Sequence, residues 1–163
     1  MCGIVGFTGL RPAAPILLDG LARLEYRGYD SAGLAVRDGE NRPEIIKAKG
    51  RLKVLYEKTN GGQTLQGDCG IGHTRWATHG EPSENNAHPH ASDDLNVIAV
   101  HNGIIENYQE LKEKLLKNGY RFNSQTDTEV AVKLIDYYDK KYSGGPVDAL
   151  ARAMVRIRGS YAL

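Results

Sequence analysis

Cysteine is scarce: Cys2 and Cys69 are the only two in 163 residues, too few for a disulfide framework. A reducing cytoplasm suits such a chain and would keep a reactive thiol usable. No apolar run is long enough to cross a bilayer. The opening Met1-Cys2-Gly3-Ile4-Val5-Gly6 lacks the basic n-region and cleavage-site pattern of a signal peptide. Neither sign of charge dominates. The 21 basic and 20 acidic residues leave +1, which gives no reason to expect nucleic acid or an anionic membrane as partner. HExxH and CxxC are absent, and Pro89 keeps His88 and His90 from helical pairing, so the histidine-rich stretch from His73 to His101 is not read as a metal site. Internal repeats, low-complexity tracts and an interdomain linker are missing too.

What remains is an ordinary globular composition, 40% hydrophobic and 25% charged, in a chain long enough for one domain with a sizeable core. Cys2 to Phe7 is short, apolar and glycine-punctuated and reads as a buried strand. Pro12 opens a helix with Leu17, Leu21 and Leu24 facing inward. Ala32 to Val36 and Glu44 to Ala48 read as strands around an Asp38-Gly39 turn, and Cys69 to Trp76 and Asn96 to His101 as two more. Tyr108, Leu111 and Leu115 mark a helix stopped by Asn118-Gly119, with Glu110/Lys114 and Glu113/Lys117 pairs on its open face. Thr126-Asp127-Thr128-Glu129 has capping-box form and leads into a stripe of Ala131, Leu134, Ile135 and Tyr138. Gly145-Pro146 opens a last helix with Val147, Leu150, Met154 and Ile157 inward. Ser160 to Leu163 reads as a strand that no turn signal closes, as if the chain were part of a larger fold. The pattern as a whole is that of a layered α/β protein.

Cys2 behind the initiator methionine has a chemical consequence. The small second residue permits removal of Met1, which leaves thiol and α-amino group on one residue. That amine has a pKa of about 7.7–8.0 and is partly neutral at physiological pH. It can take the thiol proton, so an N-terminal nucleophile carries its own general base. Gly3 and Gly6 leave room for a substrate against the backbone. A packed cysteine in an apolar strand fits the same residue.

Three polar clusters stand beside strand ends: Glu25 to Gly33, His73 to Gly80 and His101 to Asn107. Arg75 presents a planar fork suited to a carboxylate, Trp76 can wall a pocket, and Asp127 at a helix start can take an ammonium group. Arg75 serves equally well in a surface ion pair and Asp127 as a helix cap. The Asn102 amide and Gly103 N–H can aim at one oxyanion. Asn-Gly is also the commonest hairpin-turn pair, and taken alone these two residues favour the turn.

Together the segments Cys2–Gly6, Leu24–Gly33, His73–Pro82, Asn86–His90, Val100–Asn107 and Thr126–Glu129 resemble the class II glutamine amidotransferases, N-terminal nucleophile hydrolases. Within them Leu24-Glu25-Tyr26-Arg27-Gly28-Tyr29-Asp30-Ser31-Ala32-Gly33 and Arg75-Trp76-Ala77-Thr78-His79-Gly80 are similar to the wording of the glucosamine-6-phosphate synthases. The amidophosphoribosyltransferases, a neighbouring branch, carry other residues there.

The resemblance implies an α+β fold, the four-layer αββα sandwich, continuing beyond Leu163, with residues 1–163 as part of its glutaminase domain. It implies that Cys2 attacks the glutamine side-chain amide and that Asn102 and Gly103 form the oxyanion hole. Arg75 would hold the α-carboxylate and Asp127 the α-ammonium. Trp76, Thr78 and His79 would complete the pocket, Arg27 would support the nucleophile, and His88 would lie near the pocket without an assigned step. No cofactor or metal is implied. L-glutamine is the implied substrate. Fructose 6-phosphate would be met by an isomerase part outside this chain, in a protein expected to be a cytoplasmic homodimer. A glutaminase domain of the amidophosphoribosyl type and a non-catalytic glutamine-binding module are the competing readings.

Overall fold

The structure, a computed structural model, describes residues 2–39, 41–77 and 80–163. It divides into two compact units, residues 1–89 and 90–163.

The first unit is a helix layer on an antiparallel sheet. Strands β1 (Gly3–Thr8), β2 (Ser31–Arg37), β3 (Glu44–Lys49) and β4 (Cys69–Arg75) lie in the order β1-β4-β2-β3. Helix α1 (Ala13–Leu24) begins after Pro12 and buries Ala13, Ala14, Leu17, Leu18 and Leu21. Its close seat on the sheet depends on glycine. A Cβ on Gly70 would stand 2.9 Å from Leu17, and one on Gly72 would stand 2.9 Å from Leu21. A side chain at Gly70 would also meet the Ala35 carbonyl at 2.6 Å, and one at Gly72 the Leu34 Cδ2 at 2.8 Å, so either would crowd the sheet as well as the leucine tips packed on it. Asp38-Gly39 forms the expected turn, Gly39 at φ +51°. Two expectations change. β1 is an edge strand and only half-buried, because β4 covers one side alone. Leu24 is likewise half-buried. Helix α2 (Leu52–Lys58), which sends Leu52 and Leu55 into the core, has only two inward positions over seven residues, too few to read as a period.

The second unit holds short strands β5 (His90–Ala91) and β6 (Ile98–Ala99), which pair together, and β7 (Asn102–Ile105) and β8 (Gly159–Ala162), which do the same. The strand expected over Asn96 to His101 shrinks to the two residues of β6. Helices α3 (Tyr108–Lys117), α4 (Asp127–Lys141) and α5 (Gly145–Arg156) bury Leu111, Leu115, Val130, Ala131, Leu134, Ile135 and Tyr138 together with Ile105 and Ile157. The face of α5 is not the expected one. Val147, Leu150 and Met154 are exposed, and the small Ala149 and Ala153 are buried instead, since α5 packs closely on α4 and close packing favours small side chains at the contact. Among the described residues no ion pair joins Glu110 to Lys114 or Glu113 to Lys117. Lys114 turns instead toward the Tyr137 and Tyr138 rings.

The start of α4 is built from polar bonds. Thr126 Oγ1 accepts from Glu129 N at 3.3 Å, the cap expected from sequence. The reciprocal half differs. The Glu129 carboxylate accepts from Asn123 N, Ser124 N and Ser124 Oγ, and it meets Lys133 Nζ at 3.3 Å with both side chains buried. Lys133 Nζ also donates to the Arg121 carbonyl, so the buried pair has the extra hydrogen bonds that such a pair needs. Thr126 also bonds His90 Nε2 and Ser124 Oγ, each at 2.9 Å. Thr126→Ala is therefore expected to cost about 1–2 kcal/mol, measured as a lower melting temperature by circular dichroism. An unchanged melt would remove the cap from this account. Among the described residues, no helix is long and apolar enough to cross a membrane.

Candidate active site

In the first unit, the register Gly3↔Thr74 between β1 and β4 sets Cys2 opposite the Arg75–Trp76 step. Trp76 N donates to Cys2 Sγ at 3.1 Å, and Sγ lies 3.6 Å from the Trp76 carbonyl. The thiol is thus held at a strand end, partly exposed, rather than packed in a core. Arg75 closes β4 and is buried, 4% exposed, which overturns the surface ion pair. Its guanidinium donates to the carbonyls of Gly80 (3.1 Å) and Glu81 (3.4 Å), and Asn86 Nδ2 donates to the same Glu81 carbonyl. Arg75 and Asn86 therefore tie the loop after β4 to its own strand.

The Glu25–Gly33 cluster is a brace for this strand end. Arg27 lies half-buried in a 3-10 turn, Glu25–Arg27. Gly28 passes so near β4 that a Cβ would stand 2.8 Å from the Arg75 backbone carbon. Asp30 N donates to the Arg75 carbonyl, and Asp30 Oδ2 accepts from Ala77 N at 2.8 Å. Tyr29 meets Trp76 edge-on at 5.4 Å. Trp76 is 45% exposed, a wall open to solvent on one side. His88 is buried and stacks on His73 with ring centroids 4.1 Å apart. Its carbonyl sits 2.1 Å from where a Cβ on Gly33 would be. Thr78, His79 and Met1 lie outside the described residues.

In the second unit, Asn102 and Gly103 begin β7 and pair with Ala162 and Tyr161. The hairpin turn that their sequence favoured is therefore absent; they are strand residues. Gly103 has φ +119°, and a Cβ there would meet the Ser160 carbonyl at 2.2 Å. Asp127 is buried at the first turn of α4. It is not the cap, since Thr126 fills that role. Its Oδ2 accepts from Ile105 N at 2.9 Å, and Oδ1 lies 3.9 Å from His101 Nδ1. His101 Nδ1 is also 2.9 Å from Thr128 Oγ1. One carboxylate so joins the strand carrying Asn102 and Gly103 to the start of α4. His90 goes to Thr126 and His88 to His73. Among the described residues no three His, Cys, Asp or Glu side chains are placed to share a metal ion.

Asp30 and His101 were not singled out from sequence. Each stood inside a polar cluster, but nothing in a single sequence says that Asp30 braces the Trp76–Ala77 step or that His101 turns toward Asp127.

The profile of the glutamine amidotransferase domain matches residues 73–163, just over half of the chain. Glutamine–fructose-6-phosphate aminotransferase (isomerizing) from Caldanaerobacter subterraneus subsp. tengcongensis is 57% identical over 163 residues, all of this chain and 26% of that protein. A protein of the same name from Thermus thermophilus is 53% identical with the same coverage. The chain thus spans about a quarter of the length of these relatives. Among solved structures, glutamine phosphoribosylpyrophosphate amidotransferase from B. subtilis is 28% identical with a TM-score of 0.80, over 99% of this chain and 34% of that one. A second, described as the allosteric regulatory enzyme of purine biosynthesis, is 30% identical with a TM-score of 0.81 over the same shares. The mixed helix-and-sheet fold is the one these N-terminal nucleophile hydrolases share. Motifs, strand-end thiol, fold and family profile agree: the chain belongs to the glutamine amidotransferase domain family.

Proposed function

We propose that residues 1–163 form part of a glutaminase domain that hydrolyses L-glutamine to L-glutamate and ammonia through a thioester on Cys2. The observation that carries this reading is the seating of Cys2 Sγ on Trp76 N at 3.1 Å, one residue from the buried Arg75. Once Met1 is removed, the Cys2 amine takes the thiol proton and the sulfur attacks the carboxamide carbon. The resulting oxyanion is held by the Asn102 amide and the Gly103 N–H. The Cys2 ammonium returns its proton to the amide nitrogen as the intermediate collapses and expels ammonia, and water, giving a proton to the same amine, attacks the thioester to release glutamate and the thiol. Arg75 grips the α-carboxylate, and the Oδ1 side of Asp127 takes the α-ammonium. Trp76, Thr78 and His79 complete the pocket, Arg27 steadies the nucleophile's strand end, and His88 stands beside the pocket. Neither metal nor cofactor is needed, because the nucleophile carries its own base.

In the longer protein, the ammonia aminates fructose 6-phosphate to glucosamine 6-phosphate in an isomerase part, and the working form is a cytoplasmic homodimer. The relatives' 57% and 53% identity and their names support this acceptor. The shared fold keeps the amidophosphoribosyl type as the second reading. Product analysis of the whole protein with fructose 6-phosphate against phosphoribosyl pyrophosphate separates the two.

Labelling with a glutamine-analogue electrophile, followed by peptide mapping, is expected to modify Cys2 at a processed N-terminus, with Cys69 unmodified. Labelling elsewhere, or active protein that retains Met1, overturns the mechanism. Arg75→Lys is expected to raise KM for glutamine about 10–100-fold, because a point-charge ammonium replaces a bidentate fork. An unchanged KM would refute the carboxylate role.

A further inference from the structure

Glutamine chemistry makes no use of the cations gathered on the second unit between α3, α4 and α5. Lys114, Lys141, Arg152 and Arg156 line an open cavity of about 380 Å³ with Tyr138, Tyr142 and Val155; none of these residues is acidic. Tyrosine rings hold three of the cations together. Lys114 and Lys141 sit 5.5 and 5.1 Å from the Tyr137 ring centroid, and Lys141 and Arg152 sit 5.7 and 4.2 Å from that of Tyr142. Lys114 and Lys141, and Lys141 and Arg152, are therefore each at most about 11 Å apart, near the ~10 Å screening length of 0.1 M salt, so these three feel one another's charge.

Lys141 Nζ donates to the Tyr137 hydroxyl at 2.9 Å. That bond, with the charges of Lys141 and Lys114, holds the phenol below its ordinary pKa although it faces solvent. Among the described residues, the carboxylate that answers this set is Asp148, on Arg152 at 2.6 Å. Four cations line one hollow, and among the described residues the ion pair that reaches them is Arg152–Asp148.

We propose that this cavity binds a condensed phosphate group, free or carried on a nucleotide. Several phosphates in a chain supply charges at the spacing of the cations, and guanidinium and ammonium groups are the side chains that hold phosphate. The Tyr137 and Tyr142 rings already carry cations, so recognition rests on charge rather than on base stacking. The proposal is independent of the glutamine reading and uses none of its residues.

The test is equilibrium binding of tripolyphosphate and of magnesium-free ATP to the full chain at 0.15 M and 0.5 M salt. Lys141→Gln/Arg152→Gln is compared with Arg23→Gln/Lys53→Gln, which removes equal charge from the exposed ion pairs of α1 and α2. Wild type is expected to bind one equivalent, more weakly at the higher salt. The cavity variant should lose affinity at least about tenfold, and the control should stay within about twofold. Circular dichroism confirms that both variants are folded. Tighter binding of ATP assigns the ligand to nucleotides, equal binding assigns it to polyphosphate itself, and either supports the site. No saturable binding by wild type, or equal losses in the two variants, overturns it.

Discussion

Cys2→Ala is expected to lower glutamine hydrolysis by about 10⁴-fold or more, the order seen when a covalent nucleophile is removed and only binding and charge stabilisation remain. The sulfur is a partly exposed strand-end group held by a backbone N–H at 3.1 Å. Alanine there cannot form the thioester, and among the described residues no second thiol stands at that strand end, Cys69 lying at the far end of β4. Packing should change little, because β1 is an edge strand and half-buried. Glutamine binding should stay within a few-fold of wild type, since the groups proposed to grip the α-carboxylate and α-ammonium are untouched. Steady-state glutamate release and calorimetric binding of glutamine check the two halves. Hydrolysis retained in Cys2→Ala would sink the thioester route. Binding without hydrolysis in the wild type would favour a non-catalytic module.

Gly103→Ala is expected to destabilise the second unit by about 3 kcal/mol or more. Two costs combine. The backbone at φ +119° lies where L side chains rarely go, and the new Cβ would stand 2.2 Å from the Ser160 carbonyl and 2.7 Å from the Tyr161 Cα. Both obstacles are backbone, so no rotamer change relieves them; β7 and β8 have to part. Gly159→Ala supplies the control. Gly159 sits on the same strand pair at φ +133°, with a Cβ position 2.1 Å from the Ile104 carbonyl. Chemical denaturation should show similar losses in both. Under conditions where both variants are folded, Gly103→Ala alone should lower kcat, by up to about 10²–10³-fold, the usual cost of an oxyanion donor: alanine keeps the N–H, but the backbone leaves φ +119° and turns that N–H away from the oxyanion. Equal kcat in the two would make Gly103 a packing residue only.

The candidate reactive groups were legible from residue types. A cysteine behind a removable methionine, an arginine next to tryptophan, and an aspartate at a capping box each have few uses. Helices with strong periods, α1, α3 and α4, were legible for the same reason: a core-facing stripe repeats often enough to be seen. α2 was not, because seven residues carry too few inward positions. The expected inward face of α5 failed because Val147, Leu150 and Met154 fit a helical stripe, whereas the helix is seated by Ala149 and Ala153. Periodicity marks which residues share a face but not which face a neighbour takes.

Asn102-Gly103 shows the same limit at the site. Local statistics favoured a hairpin turn, and pairing with Tyr161 and Ala162, nearly sixty residues away, makes a strand instead. Asp127 could be a cap or a ligand group by sequence; Thr126 takes the cap and leaves the carboxylate to Ile105 N and His101. By itself, then, the sequence determined which reactive groups exist and which segments carry them, because both follow from side-chain chemistry and short-range order. Strand partners, helix seating and the burial of Arg75 were decided only in the tertiary structure, because they depend on contacts between residues far apart along the chain, and local preference cannot encode them.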